Sequence, residues 1–247
     1  MFPIRDHNPS ERRPYVVYAL IAINALIFAL QLPYMGNDRA LAEFWANHAL
    51  YPALVTEYGD YTGILTSMFL HAGWMHIGGN MLFLWIFGDN LEDQMGHVGF
   101  LIFYLAAGIA AALAHILAAP HSVVPTVGAS GAIAGVMGGY LMMFPRARVD
   151  VVVIIVIIFK VFPLPAWVML GIWFALQVFG GFSTPVEGGG VAFWAHAGGF
   201  VAGIALALPL WLRRGGAGFW RQTDGKPPHP DTVYQKSGIP VVIRRRR

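Results

Sequence analysis

The chain has 247 residues, of which 57% are hydrophobic and 12% are charged. A soluble protein of this length needs a more polar surface, so the composition predicts an integral membrane protein in contact with the lipid bilayer. The absence of cysteine excludes disulfides and thiolate metal sites. The net charge is only +3 and no basic face with interleaved aromatic residues is present, so we expect no nucleic-acid partner.

Apolar runs bounded by Pro, Gly or charged residues predict six membrane-spanning helices, and therefore an all-α membrane protein. The first run is not followed by a signal-peptidase cleavage pattern, which indicates a retained span. The second has apolar character that extends back to residue 64. In chain order, the predicted spans are at about 15–32, 74–88, 98–119, 126–144, 164–179 and 191–212.

Three regions outside these spans have a different character. The loop at 34–63 contains apolar and aromatic residues and is expected to lie partly in the membrane interface. Residues 151–162 begin with an unbroken Val and Ile run but are too short and interrupted to cross, so they are predicted to be β-prone or interfacial. We expect one domain at 15–213, between a polar segment at 1–14 and a disordered tail at 214–247.

The distribution of basic residues predicts the orientation of the spans. With six crossings, every Lys and Arg except Arg39 lies on the inner side. The positive-inside rule favours this arrangement. A seventh crossing at 151–162 would place the C-terminal bases outside. We therefore expect both termini in the cytoplasm and a location in a prokaryotic plasma (inner) membrane.

Four polar residues from three predicted spans fall at a similar depth, near the outer face. His76 and Asn80 are four residues apart and share one helix face. Ser130 lies in the first turns of the fourth span, and His196 lies within about two turns of the start of the sixth. Polar side chains are expensive in hydrocarbon and usually functional. Their common depth predicts a site that opens toward the outer face.

These residue types suit acyl transfer. Ser130 is a candidate nucleophile and His196 a candidate general base, while His76 and Asn80 can donate hydrogen bonds to an oxyanion. The predicted spans contain no acid beside this pair, which favours a Ser–His dyad; Glu187, in an outer loop, remains open as an orienting acid. His76 and His196 lack a carboxylate at ligand spacing, so we expect no metal and no other cofactor.

Glycines repeat every four residues beside the serine and the histidine. Gly131 and Gly135 lie on the fourth span, with Gly139 one step further, and Gly199 and Gly203 lie on the sixth. Such small-residue faces let two helices approach closely. The pattern predicts contact between these spans, which would bring Ser130 and His196 together.

Three sequence strings resemble the signature motifs of the rhomboid family of intramembrane serine proteases. They are His76-Ile-Gly-Gly-Asn80, Gly128-Ala-Ser-Gly131 and Ala195-His-Ala-Gly-Gly199, in the family's order and on the expected spans. The resemblance implies a six-helix bundle, with Ser130 as nucleophile, His196 as base, and His76, Asn80 and the Ser130 backbone amide as oxyanion hole. Position 134 is alanine where some members have a tyrosine against the base, so another residue must hold the imidazole, and Trp194 and Phe193 are candidates.

The expected activity is hydrolysis of peptide bonds in or next to transmembrane segments of single-pass membrane proteins. One alternative is a rhomboid-like pseudoprotease that binds membrane clients without cutting them, which would be expected to lack the serine or the histidine. A small transporter or channel is a second alternative. It would predict internal repeats and ionisable residues spread through the bilayer depth, whereas the polar residues here cluster on one side.

Overall fold

The computed structural model describes residues 2–8, 10–155, 158–185 and 189–229. Six long helices stand where the sequence predicts spans, which confirms an all-α membrane fold. Four of them, α1, α6, α8 and α9, are long and apolar enough to cross a membrane. The six are α1 (Tyr15–Gln31), α5 (Trp74–Met95), α6 (His97–Ala118), α7 (Ser130–Met143), α8 (Ala166–Ser183) and α9 (Phe193–Arg213).

Helix α7 is shorter than the predicted fourth span because residues 126–128 are not helical and Ala129 is its N-cap. Thr126 exchanges backbone hydrogen bonds with Leu50, at 2.8 and 3.0 Å, and the Gly128 amide donates to the Ser67 carbonyl at 2.9 Å. These bonds hold the chain away from helical geometry until Ser130. The remaining 14 residues are apolar and mostly buried, as expected for a helix enclosed by its neighbours.

The connection between α1 and α5 contains three short helices. They are α2 (Asp38–His48), α3 (Pro52–Tyr58) and α4 (Thr62–Thr66), followed by a 3₁₀ turn at Ser67–Phe69. The second span therefore does not extend back to residue 64. It extends forward instead, since α5 continues through the acidic stretch after residue 88 to Met95.

A small antiparallel sheet lies outside the helices. Its order is β1 (Phe2–Asp6), β2 (Arg148–Ile155) and β3 (Ile158–Pro165), with β2 in the centre. The described residues of the segment 151–162, at 151–155 and 158–162, are thus extended, as the Val and Ile content suggested, and the N-terminal strand pairs with β2. The fifth helix begins at Ala166, directly after β3, two residues later than expected.

The composition predicts disorder from residue 214, but the structure differs in the first part of that region. Residues Ala217–Thr223 form α10. Trp220 donates its indole N–H to the Met142 and Met143 carbonyls at the end of α7, and Asp224 pairs with Arg146 at 2.7 Å. An aromatic anchor and an ion pair thus dock this segment despite its many glycines. Residues 230–247 lie outside the described part of the chain.

Candidate active site

Ser130 is the first residue of α7, and its position follows from the extended segment before it. The bonds at Thr126 and Gly128 stop that segment at Ala129, so the helix starts with the serine. The first N–H groups of a helix have no partners within it. The Ser130 hydroxyl and its backbone amide therefore lie together at a helix N-terminus, where partial positive charge favours an anion.

His196 lies in the first turn of α9 and faces the serine. Its Nε2 is 2.7 Å from Ser130 Oγ, and its Nδ1 is 2.8 Å from Gln177 Oε1 on α8. Trp173, one turn before Gln177, has its ring centroid 5.8 Å from the imidazole centroid. The structure thus brings together the predicted serine and histidine. It adds two residues from α8 that our sequence analysis did not select.

A signal for Gln177 was present in the sequence. It is the only amide or charged side chain in the fifth span predicted at 164–179. In the predicted topology the chain runs outward through that span, which would place Gln177 in the outer half, at the depth of His196. The depth comparison that selected the other polar residues would have selected Gln177 as well.

His76 lies on α5 with its ring against the backbone next to the serine. A Cβ on Gly128 would lie 2.7 Å from Nε2 of His76, so only glycine allows this approach. The Ala72 amide donates to His76 Nδ1 at 3.3 Å. A neutral imidazole that accepts at Nδ1 carries its proton on Nε2. The Nε2–H group is therefore a donor that points toward Gly128 and Ser130.

Asn80, one turn further along α5, is buried with 8% of its surface exposed. Its side-chain nitrogen has no hydrogen-bond partner among the described residues. Buried amide donors are normally paired, because an unpaired one loses its hydration without compensation. This donor is therefore available to a group that enters the site.

A cavity of about 640 Å³ connects these residues. Ser130, His196, His76 and Asn80 all line it, together with Trp173. Among the described residues, no group of three or more His, Cys, Asp or Glu side chains is placed to hold a metal ion. The cavity thus presents the Ser130 hydroxyl, the His196 imidazole and the His76 and Asn80 donors to a common space.

Comparison with known proteins identifies the family. Residues 58–213 match the Rhomboid domain profile. The chain belongs to the rhomboid family. It is 33% identical to Rhomboid protein 1, mitochondrial, of Saccharomyces cerevisiae over 76% of this chain and 51% of that protein. It is 31% identical to Rhomboid protease GluP of Bacillus subtilis, over 83% of this chain and 36% of that protein.

A third relative is Rhomboid-like protein 11, chloroplastic, of Arabidopsis thaliana, with 28% identity over 84% of this chain and 69% of that protein. This rhomboid chain spans about half the length of the yeast relative and about a third of the Bacillus one. The membrane-spanning helices and these relatives together show an integral, multi-pass membrane protein.

The glycines of this rhomboid lie where α7 and α9 cross. A Cβ on Gly199 would lie 2.1 Å from the Gly131 carbonyl oxygen, and one on Gly203 would lie 1.9 Å from that of Gly135. Gly139 is different: it faces Phe103 and Leu91, on α6 and α5, and Gly138 takes its place against α9. The backbone contact between these helices sets the distance between Ser130 and His196.

Trp194 and Phe193, the two candidates from the sequence, pack against α8 rather than against the imidazole. Trp194 packs on Gly181 and Phe182, and Phe193 packs on Gly180, all at the end of α8. Both residues precede His196 on α9, and their rings point to α8 rather than to the imidazole. Gln177 and Trp173 lie against the imidazole instead. Glu187, the candidate orienting acid, lies outside the described residues.

Proposed function

We propose that this rhomboid is an intramembrane serine endopeptidase that hydrolyses peptide bonds in or next to the transmembrane segments of single-pass membrane proteins. The observation that carries the proposal is the 2.7 Å contact between His196 Nε2 and Ser130 Oγ inside a membrane-spanning bundle. The Rhomboid domain match and the relative named as a rhomboid protease support the same reaction class. The reaction needs no metal or other cofactor.

In the proposed first step, Ser130 Oγ attacks the carbonyl carbon of the scissile peptide bond while its proton passes to His196 Nε2. The carbonyl oxygen becomes an oxyanion that accepts hydrogen bonds from His76 Nε2, Asn80 Nδ2 and the Ser130 backbone amide. The C–N bond then breaks, and the protonated imidazole gives its proton to the leaving amine. The product is an acyl-enzyme ester on Ser130 and a free amine.

In the second step, water repeats the same chemistry on the ester. His196 accepts a proton from the water, whose oxygen attacks the acyl carbon. Collapse of the second oxyanion returns the proton to Ser130 Oγ and releases the carboxylic acid. The donors that stabilise the first oxyanion serve the second as well, because both form at the same place.

Labelling of the detergent-solubilised protein with a fluorophosphonate probe tests this function. Ser130 should be the modified residue, and Ser130→Ala should abolish both labelling and cleavage of a model transmembrane substrate. His196→Ala should stop turnover as well, since an unassisted serine hydroxyl is a poor nucleophile at neutral pH. Cleavage that persists in Ser130→Ala, with thermal stability unchanged, would contradict the nucleophile assignment.

The proposed topology places both termini in the cytoplasm and the cavity toward the outer face of a prokaryotic plasma membrane. Two contacts support a common side for three segments: β1 pairs with β2 from the α7–α8 connection, and Arg146 of that connection pairs with Asp224. The absence of native cysteine allows a direct test. In intact cells, Asp38→Cys should react with a membrane-impermeant thiol reagent and Arg221→Cys should react only after permeabilisation; the opposite pattern would overturn the topology.

A further inference from the structure

The imidazole of His196 is held on the side away from the serine by a neutral amide. We propose that Gln177 is a positioning residue that fixes the tautomer and the ring orientation of His196. This inference rests on the proposed function, because it assigns Gln177 a task in the same reaction. The contact that motivates it is the 2.8 Å distance between Gln177 Oε1 and His196 Nδ1.

The orientation of the Gln177 amide is itself fixed by its own helix. Its nitrogen donates to the Trp173 carbonyl, one turn earlier on α8, at 3.3 Å. With the nitrogen occupied there, the oxygen faces His196 and can only accept a hydrogen bond. His196 must therefore carry its proton on Nδ1. The lone pair of Nε2 is then directed at the Ser130 hydroxyl, as a general base requires.

Burial strengthens this arrangement. Gln177 is 8% exposed and does not line the cavity, so it contacts His196 rather than a substrate. The Trp173 ring lies beside the imidazole, with an interplanar angle of 33°. Together the amide and the indole restrict rotation of the ring about χ2. A ring flip would lose the hydrogen bond to Oε1 in a place where water does not replace it easily.

A neutral amide performs only part of what a carboxylate does in a soluble serine protease. There the acid selects the tautomer and also stabilises the imidazolium, and its replacement by an amide lowers kcat about 10⁴-fold because the wrong tautomer results. In this chain the Gln177 amide nitrogen donates to the Trp173 carbonyl, so it cannot turn toward His196 and select the wrong tautomer. The selection of the tautomer is kept, and a buried carboxylate, which is costly in hydrocarbon, is avoided.

The test compares two substitutions of nearly equal size. Gln177→Met removes the acceptor and keeps the side-chain length. Turnover and the rate of fluorophosphonate labelling of Ser130 should both fall by at least about tenfold, and by no more than the roughly 10²–10⁴-fold that a general base contributes. KM should change little, since Gln177 does not line the cavity. Leu176→Met, on the exposed side of α8, is the matched control and should have no effect.

Gln177→Glu distinguishes positioning from packing, because a purely structural role of Gln177 predicts no shift of the pH–rate profile. It restores an acceptor, so it should recover activity relative to Gln177→Met. Its carboxylate would stabilise protonated His196, so the acidic limb of the pH–rate profile should move to higher pH. His76 and His115 are the other titratable side chains whose charge acts on His196, and they are common to all variants.

Two results would overturn the role of Gln177. The first is wild-type labelling and turnover in Gln177→Met while His196→Ala remains inactive, which would leave the proposed function intact. The second is an equal defect in Gln177→Met and Gln177→Glu with an unmoved acidic limb, which would reduce Gln177 to packing. If Gln177→Met fails to fold, the acidic limb of Gln177→Glu decides alone. A fluorophosphonate-unreactive Ser130 in the wild type would instead contradict the proposed function itself.

Discussion

The two ends of the helix bundle bury polar residues in opposite ways. The Ser130 end, formed by Ser130, His196, His76, Asn80 and Gln177, contains neutral side chains around a cavity and leaves donors unpaired. The Asp6 end, formed by β1 and the adjoining ends of α1, α5 and α7, contains carboxyl groups in a dense network. There the Glu92 carboxylate accepts the Val16 and Val17 amides at 2.9 and 2.8 Å and so caps the start of α1.

Further bonds at the Asp6 end join segments that are distant in sequence. Asn90 donates to Asp6 Oδ2 and to the Asn8 carbonyl, both at 2.7 Å, and the Tyr140 hydroxyl donates to Asp6 at 3.2 Å. Arg5 pairs with Asp150 at 2.7 Å. A network of this kind stabilises one arrangement of the helices. The Asp6 end therefore holds the helices in one arrangement, whereas the Ser130 end has hydrogen-bond donors that are available to a reacting group.

The largest expected effect at the Ser130 end concerns Asn80. If its unpaired donor serves an oxyanion, Asn80→Ala should lower turnover about 10²–10³-fold, or roughly 2.7–4 kcal/mol, as loss of one such donor does in soluble serine proteases. Thermal stability should change little, because the side-chain nitrogen has no partner to lose among the described residues. Turnover of a transmembrane substrate and thermal unfolding in detergent measure the two effects.

Labelling supplies the control for Asn80. Ser130 in Asn80→Ala should still react with a fluorophosphonate, more slowly, because the serine and its base remain. A variant that unfolds, or that turns over within a factor of two of the wild type, would remove Asn80 from the oxyanion hole. The two ends would then not differ as described, since the Asn80 donor at the Ser130 end would stabilise the fold rather than serve the reaction.

The seam between α7 and α9 connects the two ends, and Gly203 tests it. A Cβ at Gly203 would lie 1.9 Å from the Gly135 carbonyl oxygen, so Gly203→Ala must push the helices apart. We expect a loss of about 1–3 kcal/mol, typical of overpacking. Turnover should fall as well, because the seam sets the distance from Ser130 to His196. Thermal unfolding and turnover measured on the same preparation check both effects.

Gly171→Ala is the matched control, since a Cβ at that position meets nothing within 4 Å. Alanine is a better helix former than glycine by roughly 1 kcal/mol, so this control should be neutral or slightly more stable. Equal stability and turnover in Gly203→Ala and the wild type would show that the seam tolerates separation and does not set the active-site distance.

The sequence predicted the parts of the fold that depend on apolar length and small-residue spacing. The six helices follow from the apolar runs of the sequence. The contact between Gly131 and Gly199 follows from the spacing of glycines every four residues. The start of α7 at Ser130 did not follow, because it depends on backbone hydrogen bonds to Leu50 and Ser67, far away in the sequence. Hydrogen bonding between segments that are far apart in the sequence produces no periodic pattern in the local sequence.

The same limit applies to the site. Ser130 and His196 carry reactive groups and could be selected by chemistry and depth. Gln177 shares their predicted depth but carries no reactive group, and its contact with His196 depends on how α8 rotates against α9. At the other end, the pairing of β1 with β2 joins residues that are far apart in the sequence, such as Phe2 and Val152. The polar segment at 1–14 therefore gave no sequence signal that it packs against the bundle.

The smallest expected effect on turnover concerns Asp6, whose substitution should instead change how stability depends on pH. Burial, together with the negative charge of Asp89, raises the pKa of Asp6 from 3.8 to about 8. Between these two values the folded protein holds a proton that the unfolded chain releases. Its stability must therefore fall as pH rises from about 4 to about 8, by at most about 1.4 kcal/mol for each pH unit. Asp6→Asn should remove this slope, measured as thermal unfolding midpoints at pH 5 and pH 8.

Every other titrating group is common to both, so the difference between wild type and variant reports Asp6 together with its electrostatic interaction with Asp89. Asp6→Asn should be relatively more stable at pH 8 than at pH 5, and turnover at a fixed pH should stay near wild type because Asp6 is remote from the cavity at Ser130. Asp38→Asn, at an exposed position on α2, should leave the pH slope unchanged. If the unfolding midpoints of wild type and Asp6→Asn depend on pH with the same slope, the Asp6 carboxyl is ionised in the folded protein at neutral pH. The network at that end would then be one of paired charges rather than one held together by a protonated acid.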